Sequence, residues 1–172
     1  MKLPPLHRRL LADALEVGSG YDLALADVYV VQAHGLGSKE ACEVDLLKEA
    51  LSRQPVPVDV GAMVDLEELV VMKVRALGDR GLPRDVIDVH AACRYYSVVE
   101  LEQLGLRDES EFDLVELRDR LESVVWVSDE EFAAYGLGPD EIAELRQWAL
   151  EWESDLGLRL AEDYDDHEDG DE

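Results

Sequence analysis

Basic side chains are scarce in this chain: 16 Lys and Arg stand against 41 Asp and Glu over 172 residues, a formal net charge of −25. Affinity for nucleic acid comes largely from cations that displace condensed counterions, so this balance excludes a general nucleic-acid surface and leaves room only for local contacts. There are two cysteines, Cys42 and Cys93, too few and too far apart for a zinc-ligand pattern or a disulfide framework; they fit unpaired thiols in a reduced compartment. Nowhere do roughly 18 apolar residues run together, as a membrane span requires. The opening stretch "MKLPPLHRRLLADALEVG" also lacks the unbroken apolar segment of a secretory signal, so a cytoplasmic protein with no membrane partner is expected. The dinucleotide fingerprint, the P-loop, the nucleophile elbow and the HExxH zinc motif are all missing. Serine or cysteine hydrolase chemistry is therefore unsupported, and His34 in "QAHGL" reads as a packed histidine.

Apolar residues nevertheless make up 47% of the chain, enough for a buried core, although aromatics contribute only 6%. "LHRRLLADALEVG" places Leu6, Leu10, Leu11, Ala14 and Leu15 at helical spacing before a stop at Gly18. Leu23 and Leu25 alternate as in a short strand, and "VYVVQAHGL" is compatible with strand or helix. From Ala41 to Leu47 a second strand is expected, with Cys42, Val44 and Leu46 on one face and Glu43 and Asp45 on the other. "SRQPVPVDVG" reads as a connector, because Pro55 and Pro57 forbid a helix.

From Val64 onward the pattern is helical throughout. Asp65 is an N-cap candidate with Glu68 in capping-box position, and a helix stops at Gly81 and restarts at Pro83. "DLVELRDRLESV" is amphipathic, Ser128 caps a short helix, and a long helix begins near Pro139. On that last helix Ile142, Leu145, Trp148, Ala149, Trp152 and Leu156 form one stripe, read as core anchors or as a face for a protein partner. "EDYDDHEDGDE" carries eight acids in eleven residues and should be disordered. The expected organisation is a small core over 1–60, a helical half over 61–160 and an acidic tail over 161–172, in an α+β and mostly helical fold.

One position breaks the helical pattern. Lys73 lies four residues after Leu69, three after Val70 and four before Leu77, in the middle of an apolar stripe, and Arg80 falls near the same line. The lysine either snorkels, its stem on apolar surface and its ammonium in water, or it meets an anion. In the first case Lys73→Met would be neutral or stabilising; a buried ion pair with Asp85 or Asp88 would reverse the sign. Arg84, Asp85 and Asp88 form a second cluster at the start of the next helix, either a functional set or carboxylates paired with neighbouring helices. Asp45 on a strand, with Lys73 and Arg80 on a helix, is a partial set of what two-metal phosphate chemistry needs.

Taken together, "LHRRLLADALEVGSGYDLALADVYVVQAHGL", "EACEVDLLKEA", "DLEELVVMKVRALGDRGLPRDVIDVHAA" and "DEEFAAYGLGPDEIAELRQWALEWESDL" resemble the AbiEii/AbiGii-type nucleotidyltransferase family, the toxin half of some bacterial toxin–antitoxin and abortive-infection systems. The resemblance implies a reduced polymerase-beta-like nucleotidyltransferase core followed by a helical half, a nucleoside triphosphate as substrate, Mg²⁺ as cofactor, and a cognate antitoxin or other protein partner. Asp65, Lys73, Arg84, Asp85 and Asp88 match the family's D-x(7)-K and R-D-x-x-D helices. The resemblance thus gives catalytic roles to Asp45, Lys73 and Asp88, and nucleotide binding to Lys73, Arg80, Arg84 and Asp85. Two departures accompany it. Ala26-Asp27-Val28 stands where the family has a glycine turn, and the D-x-D strand is missing if "EACEVDLLKEA" is the third acidic strand. Alternatively Glu43 and Asp45 are an E-x-D version of the metal pair. The first alignment leaves one metal carboxylate and implies a protein weakly active or inactive alone; the second implies an active Mg²⁺-dependent enzyme acting on tRNA or protein. A helical interaction module is the third reading.

Overall fold

Pro55 and Pro57 rule out a helix, and the backbone at Val56–Val58 is a strand. The computed structural model describes residues 24–26, 45–47, 56–58, 61–107 and 111–168, with side chains over 64–107 and 111–162. Two compact units divide after Met72, Met1–Met72 and Lys73–Glu172, whereas the sequence places the boundary at residue 60.

In the first unit four short strands, β1 (Ala24–Ala26), β2 (Asp45–Leu47), β3 (Val56–Val58) and β4 (Gly61–Met63), form one sheet in the order β2-β1-β4-β3. β1 pairs antiparallel with β2, Leu25 opposite Leu46, and parallel with β4, Leu25 opposite Met63. β3 and β4 pair antiparallel, Pro57 opposite Ala62, so the segment expected as a connector is one arm of a hairpin. Proline is tolerated there because β3 is an edge strand, where one side of the backbone needs no ladder partner. The expected strands around Leu25 and Leu47 coincide with β1 and β2. The expected first helix over 6–18, the segment "VYVVQAHGL" and Glu43 lie outside the described residues.

Helix α1 (Leu66–Asp79) begins where Asp65 accepts the N–H of Glu67 at 3.1 Å, the N-cap bond expected of that residue. It ends before Gly81, whose φ of +59° is a left-handed conformation that side chains disfavour. α2 (Pro83–Ala92) follows with proline in its first turn. Ser97 and Glu100 close a capping box on α3 (Val98–Gly105), and Asp113 caps α4 (Leu114–Ser123). α4 runs directly into a 3-10 turn, Val124–Trp126. Ser128 and Glu131 box α5 (Asp129–Ala133), and α6 (Pro139–Glu168) is the longest element.

α6 is the spine of the second unit. Its stripe is buried as expected at Ile142, Leu145, Ala149, Trp152 and Leu156, with Trp148 half-buried, and it packs chiefly on α4 through Leu117 and Leu121. Val74, Leu77, Val86, Val89, Leu101, Val124 and Phe132 complete the core. The ring of Phe112 lies against Gly78 and Gly105; a Cβ at Gly78 would stand 2.7 Å from it, so the small residues admit the ring. Composition predicts disorder from residue 161, but the backbone is helical to Glu168. Extending a formed helix adds a hydrogen bond per residue without a new nucleus, so a long anchored helix can carry polar residues that would not start one.

Candidate functional site

Gly81 turns the chain so that α2 meets the end of α1, and the charged residues singled out in the sequence pair with each other there. Lys73 Nζ stands 2.9 Å from Asp88 Oδ2, with side chains only 10% and 14% exposed. The lysine in the apolar stripe therefore neither snorkels nor stands unpaired; its ammonium is matched inside the second unit. Arg80 holds Asp85 with two bonds, Nε to Oδ2 and Nη2 to Oδ1, each 2.8 Å. Asp85 is fully buried and also accepts the N–H of Leu82 at 3.2 Å. As the third residue of α2 it completes half a capping box, leucine having no side-chain oxygen for the other half. A buried carboxylate is stable only when its oxygens are hydrogen-bonded, and three donors meet that need here. Arg84 is half-buried in the first turn of the same helix.

The structure thus gathers Lys73, Arg80, Asp85 and Asp88 at one helix–helix junction, with Arg84 next to Asp85 along α2. For phosphate to be held by Lys73 or Arg80, it would have to displace or share Asp88 or Asp85. Asp45 is the first residue of β2, opposite Ala26; its side chain, like Glu43, lies outside the described side chains. Divalent ions of this chemistry need several converging carboxylate oxygens. Among the described residues no three His, Cys, Asp or Glu side chains converge as metal ligands, and Asp45 and Glu43, the expected metal pair, lie outside the described side chains.

A second charged cluster escaped the sequence reading. Glu102 on α3, 3% exposed, accepts Trp152 Nε1–H at 2.7 Å and a fork from Arg159, Nη1 at 2.8 Å and Nη2 at 2.6 Å. These bonds raise the Arg159 pKa, hydrogen bonding to Glu102 being the largest cause, so it stays charged. The signal was available: Glu102 follows Val98 by four residues and precedes Gly105 by three, and Arg159 follows Trp152 by seven and Leu156 by three. Each is a charge in an apolar stripe, as Lys73 is.

Other arginines satisfy helix ends. Arg75 donates to the carbonyls of Gly105, at 3.0 Å, and Arg107 at the end of α3; Arg120 donates to Asp79 O at the end of α1, at 2.8 Å. Terminal carbonyls carry the negative end of the helix dipole, which makes them natural guanidinium partners. Arg118 pairs with Glu153 and Arg146 with Asp129, each at 2.7 Å.

A groove of about 580 Å³ is lined by Arg75, Gly78, Asp79, Glu111, Phe112, Asp113 and Glu116. It contains none of the sequence-predicted site residues, and its four acids against one carbonyl-bound arginine suit no polyphosphate. His90 stacks on Trp148 with ring centroids 4.8 Å apart; burial lowers its pKa, partly opposed by Glu144 and assisted by Arg94. Burial raises the Cys93 thiol pKa, and a hydrogen bond with Trp148 opposes the shift.

Comparison with family models, with characterised proteins and with solved structures gives no match to this chain. The family resemblance rests on the residues quoted for it.

Proposed function

We propose that this chain is a relative of the AbiEii/AbiGii-type nucleotidyltransferase toxins that does not transfer nucleotides unaided and acts by engaging a protein partner. The observation that supports this reading is the internal pairing of its would-be nucleotide ligands. Lys73 with Asp88 at 2.9 Å and Arg80 with Asp85 at 2.8 Å join α1 to α2 as ion pairs. Phosphoryl chemistry depends on cations poised for the polyphosphate and on carboxylates poised for metal; here each neutralises the other. Residues of the R-D-x-x-D pattern then serve the helical half as fastenings.

The Mg²⁺-dependent enzyme is the competing reading, and one observation favours it: Asp45 sits on a sheet strand, the rigid support a metal carboxylate needs. One experiment separates the two. The protein is incubated with each labelled nucleoside triphosphate, Mg²⁺ or Mn²⁺, and bulk tRNA or protein acceptors, beside the Asp45→Asn variant. No incorporation above background is expected from either. Incorporation by the parent that vanishes in Asp45→Asn would overturn the proposal and support Glu43 and Asp45 as the metal pair.

A further inference from the structure

Trp126 is 84% exposed, far beyond any other large apolar side chain among the described residues. It ends the 3-10 turn that continues α4, and it does not stand by itself. Val115, Asp119 and Glu122 follow one another at i, i+4 and i+7 on the solvent side of α4, Val115 being 54% exposed and both acids exposed. Leu117, Leu121 and Val124 occupy the opposite side and are buried. Another step of four residues leads from Glu122 to Trp126. With the 3-10 turn rising about 2 Å per residue, Val115 and Trp126 stand about 18 Å apart along this surface ridge, with the two acids between them. Neither Asp119 nor Glu122 enters an ion pair among the described residues.

We propose that this ridge docks a basic amphipathic helix of another protein. Apolar residues of that helix would cover Val115 and Trp126, and its lysines or arginines would lie over Asp119 and Glu122, with an arginine on the indole face. Charge complementarity selects this occupant. A second copy of the chain would bring another net charge of −25, and anionic lipid headgroups would meet two carboxylates at the centre of the ridge. Val115, Asp119 and Glu122, at i, i+4 and i+7 on α4, form a ridge that matches the groove of a helix better than an extended segment, and Trp126 in the following 3-10 turn flanks it. The inference deepens the partner half of the reading above, and nucleotide incorporation is assayed separately, so either can fail by itself.

The test uses the full chain and a labelled synthetic helical probe of about 16 residues, with leucines at i, i+4, i+7 and i+11 and lysines or arginines beside them. A second probe replaces every basic residue by glutamate. Anisotropy titrations are run on the parent, Trp126→Ala, Asp119→Lys/Glu122→Lys, and Glu144→Lys/Glu162→Lys on α6 as a charge-matched control. Each variant is first checked for an unchanged melting curve, which the exposure of these positions leads us to expect.

The basic probe should bind the parent and weaken about tenfold or more with Trp126→Ala, the scale of losing an aromatic anchor. It should weaken similarly with the double reversal, which should instead acquire binding to the acidic probe, while Glu144→Lys/Glu162→Lys changes little. Equal losses in the double reversal and in Glu144→Lys/Glu162→Lys would reduce the effect to net-charge attraction and overturn the proposal, as would parent-like binding by Trp126→Ala or no binding by the parent. Self-association abolished by Trp126→Ala would assign the ridge to a second copy. A Trp126-dependent emission shift on zwitterionic vesicles would assign it to a membrane. Either result overturns the helix docking.

Discussion

Lys73 and Asp88 illustrate what a charge in an apolar stripe means once its surroundings are known. At 10% and 14% exposure neither group is well hydrated, so removing one strands the other in a poor dielectric. Lys73→Met should therefore destabilise by about 3 kcal/mol, the lower end of the range for breaking a buried pair. This reverses the sign that snorkelling would give. Lys73→Met/Asp88→Leu should recover most of the loss, because apolar groups of similar volume often replace a buried pair without penalty. Urea unfolding of the two single variants and the double gives the coupling; a neutral Lys73→Met would show that the pair is weak. The anomaly was visible in the sequence as a broken stripe, but its partner was not. Periodicity says which side of a helix a residue occupies and nothing about the angle at which the next helix arrives. That angle is set by the positive φ of Gly81 and by Asp85 clamping Arg80 and the Leu82 N–H. Glu102 and Arg159 extend the lesson over 57 residues of separation.

At the scale of elements, local chemistry made the helical half legible. Asp65, Ser97, Asp113 and Ser128 all cap, Pro83 and Pro139 open helices, and the α6 stripe is the core it was read to be. Pro57 was misread because proline forbids a helix at any depth but forbids a strand only in a sheet's interior, and edge position is a tertiary property. The tail was read from composition, which judges whether a segment folds independently and misses that α6 is already nucleated upstream. Where α6 stops being necessary follows from the clasp at Glu102. A chain ending after Glu162 keeps Arg159 and should melt within about 2 °C of the parent. One ending after Leu158 leaves Glu102 buried with only Trp152 to satisfy it, a loss of about 2–3 kcal/mol, or about 5–10 °C in a chain of this size. Thermal melts of the two truncations and of Arg159→Met check this. The point variant should behave like the shorter truncation, and an unchanged melt in Arg159→Met would show the clasp to be idle.

Across the whole molecule, the excess of negative charge acts on the fold itself. A net charge of −25 repels itself in the compact state, and the cations that could soften it are partly committed to particular carboxylates and helix ends, as Arg80, Arg118, Arg146 and Arg159 show. Salt acts differently on the two kinds of interaction. The Debye length falls from about 30 Å at 0.01 M to about 3 Å at 1 M, so diffuse repulsion across the surface is strongly screened. Close pairs with at least one buried partner, Lys73–Asp88 and Arg159–Glu102, lose less by comparison. Repulsion is the larger sum here, so moving from about 0.02 M to about 0.5 M sodium chloride should raise the melting temperature, most steeply at the low-salt end where the Debye length changes fastest. Salt is a cleaner probe than lowering the pH toward the pI of about 4.3, because it screens the charges without changing their number. Melting curves over a chloride series, repeated with sodium sulfate at matched ionic strength, separate screening from specific anion effects. A melting temperature that falls with chloride would mean that exposed ion pairs outweigh the repulsion, and that the helical half is held by its surface bridges more than by its buried ones.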